Sequence, residues 1–531
     1  MQHILSLDIG TTSTRAIVFD DKLKKLGQVS LPLNIFAGED GNVEQDPIEI
    51  WTKTLSCARR VLKATKVNAK NIACIGIANQ RETVVGWNSK NGKPVARAIV
   101  WQDRRTAERC KEIESHRDLA RRIRAATGLV VDPSFSATKI EWLNNKYNRM
   151  DSRLRRNDKE EDCPVEGTWS PRGFYVRATS DFARNDGGRG LIFGTIDSWI
   201  LWNLTGGRLH ATEPSNASRT MLFNLKTLTW DEDLLKFFGI KESQMPLLMP
   251  SEGQFDTTDK KLFGCEIPIT GILGDQQAAL FSHGPLGKNM TAVTYGTGIF
   301  ALKTIGDLPH PAASGILTTV AWHRPEYPIE YAFETSALTG GAMLEWFKNQ
   351  MSLVKDMKEL DALAETVTTT GGVTIVPAFS GLAAPDWDPA ARGLIIGLNR
   401  GTTKAHLCRA AIEAIACQAA RMSTLLDEQT NSKTTFWKVS GGLARSNPLM
   451  QSQADMSNVK ICRSNNLEST AAGAAMIAGL GAGVWKTWEQ ASKFSKCEKT
   501  FIQKRPERGR AFLAQYERAI ERARGWASIS T

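Results

Sequence analysis

Apolar and polar positions change rhythm repeatedly along the chain, and each change predicts an element. Residues 4–8 give a short apolar strand signal, Gly10, Thr11, Thr12 and Ser13 make a small hydroxylated turn, and residues 14–19 read as a second strand. That pattern predicts a β-hairpin. Residues 28–35 alternate as a third strand would. Residues 47–64 carry Ile48, Ile50, Trp51, Leu55 and Leu62 at helical spacing behind Asp46, which suits an N-cap. Further β-rich runs cover 72–78, 83–87, 96–101, 268–273 and 436–439. Strands and helices that keep alternating predict an α/β fold. Near the far end, 508–526 sets Ala511, Phe512, Tyr516, Ala519 and Ile520 on one helical face, the pattern of a packed amphipathic helix.

The rhythm breaks at 145–189. This stretch is dense in both charge signs and contains Cys163-Pro164, Ser170-Pro171 and Asp186-Gly187-Gly188, so it reads as an insertion or solvated loop. Regular text resumes at 191–204. Elsewhere the chain echoes itself: LSLDIGTTSTRAIVF near the start and TAVTYGTGIFALK at 291–303 are both strand, Gly-Thr-rich turn, strand. The echo suggests two halves, each opening with its own hairpin.

Composition narrows the class. The chain has 531 residues, 42% hydrophobic and 23% charged, which suits a large globular protein. No apolar run reaches the roughly 18 residues of a membrane span. Lys+Arg exceeds Asp+Glu by 67 − 56 = 11. The basic residues form no long tract, so the expectation is a solvated basic surface and no nucleic-acid partner. The nine cysteines are widely spaced, odd in number and without CxxC, which argues against a disulfide framework or a zinc site. The beginning MQHILSLDIG shows no signal peptide, and ASIST at the end is no peroxisomal signal. A cytoplasmic location is expected, with association at an organelle surface left open.

Candidate chemistry sits at the ends of the predicted strands. Small residues in the turn 10–13 let backbone N–H groups approach an anion. Asp8 before the turn can hold Mg²⁺ through water, and Arg15 after it can meet phosphate oxygens. The segment is not a Walker A loop, since GxxxxGK[ST] is absent. Gly296-Thr297-Gly298 is a second such turn, and Gly441-Gly442 follows a third strand. Polar clusters at Asn79-Gln80-Arg81-Glu82-Thr83, Trp101-Gln102-Asp103-Arg104-Arg105 and Gly274-Asp275-Gln276-Gln277 each follow apolar runs. Ligands of open α/β sheets bind at such strand ends, so a polar small-molecule site is the reading.

The stretches LDIGTTSTR, NQRET, AIVWQDRRT, GTIDSWILW, NASRTMLFN, GILGDQQAALF, TYGTGIF, FSGLAAPDWDPAARG and AAGAAMIAGLGAG stand in this order. With them the chain resembles the FGGY carbohydrate kinases, and among these the members that phosphorylate glycerol. The resemblance implies two actin/hexokinase-type (ribonuclease H-like) ATPase domains flanking a deep cleft, expected at 1–284 and 285–531. It implies ATP-dependent phosphorylation of glycerol to sn-glycerol 3-phosphate, with Mg²⁺ accompanying ATP and a homodimer as the expected assembly. Asp275 is then the general base, and Asp8 and Asp275 the magnesium-side carboxylates. Gly10, Thr11, Thr12, Ser13, Arg15, Thr297, Gly341, Gly441 and Gly442 fall at nucleotide positions, with Gly296 beside them. Arg81, Glu82, Trp101, Ser134, Asp275, Gln276 and Phe300 fall at substrate positions. The alternatives are a kinase of another polyol or sugar and a catalytically weak nucleotide-binding relative.

Several positions depart from the family text. The glycerol-phosphorylating members usually read DPYFSGTK, with a tyrosine that reaches a glycerol hydroxyl; here Ser134 takes its place. A weaker glycerol site, or one that admits a longer polyol, is expected. Ile9 replaces a glutamine, Ala383 a glycine, Asp386 an aromatic, Ser440 an aspartate and Glu345 a glutamine that contacts nucleotide. The stretch 260–265 lacks the Gly-Gly-x-Arg text that binds fructose 1,6-bisphosphate in regulated bacterial relatives, so no inhibition by that sugar phosphate is expected.

Overall fold

Two mixed β-sheets organise the protein, which a computed structural model describes over residues 2–155 (except 39) and 190–528 (except 286, 288, 314, 380 and 389). The first sheet contains β1 (His3–Ile9), β2 (Ser13–Asp20), β3 (Lys25–Pro32), β4 (Ile72–Asn79), β5 (Glu252–Thr257) and β6 (Pro268–Gly274). Their order is β5-β6-β4-β1-β2-β3. β1, β2 and β3 form an antiparallel meander, while β1, β4 and β6 are parallel neighbours. Helices cover a parallel sheet on both faces, so its strands are apolar almost throughout, as IACIGIA in β4 is.

The second sheet contains β7 (Met290–Tyr295), β8 (Ile299–Gly306), β9 (Leu317–Trp322), β10 (Glu330–Ala337), β11 (Phe436–Ser440), β12 (Lys460–Ser464) and β13 (Cys497–Phe501). Their order is β9-β10-β8-β7-β11-β12-β13. Around β7 this repeats the first sheet around β1: a hairpin, a third antiparallel strand, two parallel strands on the other side and an antiparallel edge. The two sequence echoes are therefore the central hairpins of two like-ordered sheets.

Local signals explain the helix starts. α1 (Pro47–Thr65) begins where the Asp46 carboxylate accepts the Ile48 N–H at 2.8 Å, and it ends at Lys66, whose φ is 56°. α2 (Asp275–Ser282) follows β6 directly, α3 (Gly341–Asn349) follows β10, and α4 (Lys404–Thr430) packs in the second half's core. α5 (Ser469–Gly481) belongs to the second half by sequence but lies on the first sheet. Small residues permit this: a Cβ on Gly473 would stand 1.8 Å from the Ala278 carbonyl oxygen, and one on Gly76 2.1 Å from that of Ala474. Ser6 Oγ and Thr270 Oγ1 donate to the α5 carbonyls of Ala471 and Ala478, at 2.8 and 2.7 Å. One apolar cluster thus joins Ile4, Cys74 and Leu273 to Ala474, Ile477 and Trp485.

Some expectations shift. β3 spans Lys25–Pro32 instead of 28–35: Pro32 pairs with Ser13, where the partner strand begins, so beyond it only the turn is left to pair with. The terminal helix α6 (Pro506–Ala523) buries Phe512, Tyr516, Ala519 and Ile520 but exposes Ala511; Gly509 takes the packing position, close against the Asp455 carbonyl. Cys462 and Cys497 form a disulfide, Cα–Cα 5.5 Å, where none was expected. The two lie 35 residues apart and meet only because β12 and β13 pair antiparallel. The expected insertion 145–189 begins inside a helix, Ser136–Arg155, and 156–189 lie outside the described residues. Among the described residues no helix is long and apolar enough to cross a membrane.

Candidate active site

Strand register assembles the site. Ile9 pairs with Asn79 and Gly274 pairs with Asn79, so β1, β4 and β6 end at one level. The residues at or just beyond those ends, Asp8, Arg81, Glu82 and Asp275, are thereby gathered at the C-terminal ends of the three parallel strands.

The first hairpin is charged. Asp8 faces Arg15 across the strands, and Arg15 Nε lies 3.1 Å from Asp8 Oδ2. Arg15 Nη1 also donates to Glu468, just before α5. Burial raises the Asp8 pKa, and Arg15 opposes the rise. Polar side chains brace the turn itself. Gln45 Nε2 donates to the Thr11 carbonyl at 2.6 Å and Trp101 Nε1 to Thr11 Oγ1 at 2.9 Å. Gln80 Nε2 in turn donates to Gln45 Oε1 at 2.8 Å. Thr12 and Ser13 remain on backbone bonds: the Thr12 carbonyl accepts from Leu33 N at 2.9 Å, and that of Ser13 from Gly10 N at 3.0 Å.

The second hairpin is backbone-rich. The Gly340 and Gly341 N–H groups donate to the carbonyls of Thr297 and Gly296, at 2.8 and 2.9 Å, which docks the start of α3 against the turn. Gly441 has φ +91°, and a Cβ there would stand 2.4 Å from the Tyr295 carbonyl oxygen, so only glycine fits. Gly442 has open space where a side chain would be. Glu345 is exposed on α3 and accepts from Asn349 Nδ2 at 3.0 Å. Ser440 is buried, and its hydroxyl accepts from Ser469 Oγ at 2.7 Å.

A charge network, buried except at Asp275, joins the strand ends of the first sheet to the second. Arg81 Nη1 and Nη2 donate to the two oxygens of Glu334 at 2.5 and 2.9 Å, and Arg81 Nε stands 3.2 Å from Asp275 Oδ1. Arg219 Nε donates to Glu82 Oε1 at 2.6 Å, and Arg219 Nη2 stands 3.3 Å from Glu334 Oε1. Glu82 itself has φ +64°, a strained turn that aims its side chain at Arg219. Burial pushes the Asp275 carboxyl up to about 6; the carboxylates of Glu82 and Asp8 add to the rise and Arg81 opposes it. Burial acts the same way on Glu334, but Arg219 and Arg81 outweigh it and hold that carboxyl below its ordinary value. Gln276 Oε1 is buried with no hydrogen-bond partner among the described residues.

The expected substrate residues Arg81, Glu82, Asp275 and Gln276 thus share one network or adjoin it. Trp101 is tied instead to the first hairpin, through Thr11. Phe300 sits half-buried on β8, between Thr294 and Ser336 on the neighbouring strands. Ser134 has its N–H on Asp132 Oδ1 at 2.8 Å, and its carbonyl accepts from Lys139 Nζ at 2.6 Å. Lys139 is buried, which pulls its ammonium down to about 7. Sequence reasoning missed Glu334, Arg219, Glu468, Gln45 and Lys139. The sequence marks Glu334 only as an acid within the strand text EYAFETSA and does not point to its partners.

Comparison with known proteins places these features. Residues 3–282 match the N-terminal domain, and 291–482 the C-terminal domain, of the FGGY family of carbohydrate kinases. A glycerol kinase of Symbiobacterium thermophilum is 42% identical over 527 residues, 99% of each chain. The solved structure of Plasmodium falciparum glycerol kinase with ADP is similar at TM-score 0.84 and 31% identity, covering 98% of each chain. A gluconate kinase of Lactobacillus acidophilus shares the fold at TM-score 0.81 with 22% identity, covering 100% of both chains.

Proposed function

The chain belongs to the FGGY family of carbohydrate kinases, and from that premise we propose that it transfers the γ-phosphoryl group of ATP to glycerol, giving sn-glycerol 3-phosphate and ADP. The observation that carries the reading is Asp275, which stands at the aligned strand ends beside Arg81 with its carboxyl pushed up to about 6. A carboxylate of that basicity is matched to accept a proton from an alcohol as the oxygen attacks phosphorus.

The first half holds the polyol and shares the nucleotide with the second. Arg81 and Glu82 supply a donor and an acceptor to polyol hydroxyls. The unpartnered Gln276 Oε1 supports the same task, because a buried acceptor without a donor favours a ligand hydroxyl. Trp101 and Phe300 cover the carbon chain, and Ser134 lines the end where relatives carry tyrosine. The turn 10–13, Arg15, Thr297, Gly341, Gly441 and Gly442 receive the nucleotide through backbone N–H groups, hydroxyls and one guanidinium. The division between the halves falls at 284/285. Phosphoryl transfer needs in-line placement and charge stabilisation, and these residues provide both.

Asp8 and Asp275 fit Mg²⁺ that arrives with ATP. The two carboxylates are close enough for Asp8 to raise the Asp275 pKa. Among the described residues no group of three or more His, Cys, Asp or Glu makes a protein cage. Mg²⁺ typically takes one or two carboxylates and completes its shell with phosphates and water. When bound, it neutralises charge on the β- and γ-phosphates.

The test is ADP release by purified protein with Mg-ATP across glycerol, erythritol, ribitol, xylitol, xylulose and gluconate. Glycerol is expected to give the highest kcat/KM, and a preference for a pentose or gluconate would overturn the reading. Ser134 favours a second outcome, measurable turnover of a four-carbon polyol, because it leaves space where tyrosine is usual.

A further inference from the structure

Glu334 lies in the middle of β10, paired on one side with Leu302 of β8 and on the other with Leu317 of β9. A carboxylate at such a position is shut off from water; only 2% of the residue is exposed. Buried acids of this kind persist when paired. Both partners come from the other half of the chain. Arg81 follows β4, and Arg219 follows the short helix Pro214–Ala217.

The contacts form one line: Asp275, Arg81, Glu334, Arg219, Glu82. Glu334 takes one N–H of each Nη group of Arg81, and Gln277 Oε1 accepts the second of Nη1 at 3.2 Å, which leaves the second Nη2 N–H for the polyol. Arg81 therefore meets Asp275 with Nε alone. Arg219 is held in the same way, with Nη2 on Glu334 and Nε on Glu82. Its ring-side neighbour Phe135, 5.3 Å from the guanidinium carbon, limits its other movements. A guanidinium is planar and prefers to grip a carboxylate with two nitrogens. With the Glu334 oxygens removed, the Arg81 fork is free to rotate onto Asp275 and close over the base.

We propose that Glu334, acting through Arg81 and Arg219, is a positioning residue for the polyol site: it turns the Arg81 fork away from Asp275 and sets Glu82 toward the substrate. Because it is rooted in the second sheet, the polyol-binding geometry of the first half depends on a residue from the nucleotide-binding half. The inference rests on the proposed kinase activity.

The experiment is steady-state kinetics of Glu334→Gln, Glu334→Asp and Arg219→Lys beside the wild type, with melting temperature recorded for each. Glu334→Gln is expected to raise the polyol KM about tenfold or more, the loss of a charge-assisted hydrogen bond, while the ATP KM stays within about twofold. Asp is one methylene too short to span both arginines, so Glu334→Asp should raise the polyol KM by a smaller factor. Arg219→Lys keeps the charge but loses the fork and should fall between the two. A purely structural role would lower the melting temperature and leave both KM values of the folded fraction unchanged, and that result overturns the proposal. If Glu334→Gln fails to fold, Glu334→Asp and Arg219→Lys decide by the same criterion. The polyol measured is whichever one the wild type turns over best, so an inactive wild type on glycerol refutes the proposed substrate without touching the role of Glu334.

Discussion

The hairpin β1–β2 sets Asp8 opposite Arg15 one pair before its turn, whereas the hairpin β7–β8 sets Thr294 opposite Phe300 at the equivalent place. The same contrast runs along both sheets. Beyond the strand ends of the first lie Arg81, Glu82 and Asp275; near those of the second lie Gly296, Gly298, Gly341, Gly441 and Gly442. One strand order therefore carries two kinds of chemistry. Charged side chains suit proton transfer and hydroxyl recognition, while bare backbone suits close approach to phosphate. The charged half also needs partners that the other half supplies. Glu468 pairs with Arg15, and Glu334 pairs with Arg81 and Arg219. Charge in one half thus becomes a contact between the two.

The contrast predicts that damage at the charged strand ends changes kcat or polyol KM, and that damage at the glycine strand ends changes ATP binding. The largest effect belongs to Asp275→Asn. It keeps the shape and removes the base, so kcat should fall about 10²- to 10⁴-fold while ATP still binds. Single-turnover measurement checks it, and kcat near wild type would break the comparison at its strongest point. Next comes Gly441→Ala. The added Cβ meets the Tyr295 carbonyl at 2.4 Å with φ held at +91°, a strain of about 1–3 kcal/mol. ATP KM should rise by about one order of magnitude, as that strain allows, with glycerol KM unchanged. Equal changes in both would mean that the halves do not divide the work.

A third prediction concerns pH. Only the ionised Asp275 can accept a proton, and its carboxyl is pushed up to about 6 by burial. kcat/KM should therefore rise with pH through about 6 and lose about tenfold per unit below it. Stability runs the other way. The folded carboxyl holds its proton more tightly than the unfolded one, so its contribution to stability is full at low pH and is lost as pH rises through about 6. Asp275→Asn should accordingly melt at or above the wild-type temperature at neutral pH, as thermal unfolding would show.

What could be read from the sequence was local. The hairpins, the Asp46 cap and α1 follow from neighbours in the chain, and the structure has them where the pattern put them. Arg81, Glu82 and Asp275 were visible because polar clusters interrupt apolar runs at strand ends. Glu334 was not, because its partners stand 253 and 115 residues away and alternation in a strand does not say what lies across it. Cys462 and Cys497 were hidden for the same reason, since pairing between strands is a property of the sheet. Lys139 was hidden by its chemistry. A lysine is expected at the surface, and this one is buried against the Ser134 carbonyl.

The smallest predicted effect lies at Ser134, where the charged half has lost a group that relatives supply. Its backbone is fixed on both sides, by Asp132 at the N–H and Lys139 at the carbonyl, so a new side chain there starts from a held position. Ser134→Tyr adds a phenol able to donate to one polyol hydroxyl. One such bond contributes about 0.5–1.5 kcal/mol, so glycerol KM should fall by up to about tenfold. The ring also fills the space a fourth carbon would need, so any turnover of a four-carbon polyol should drop in the same variant. ATP KM should not move, because Ser134 stands at the polyol and not among the nucleotide positions. Unchanged glycerol KM together with unchanged polyol preference would show that a water already does the work of the missing phenol, and the weaker-site expectation would then fall.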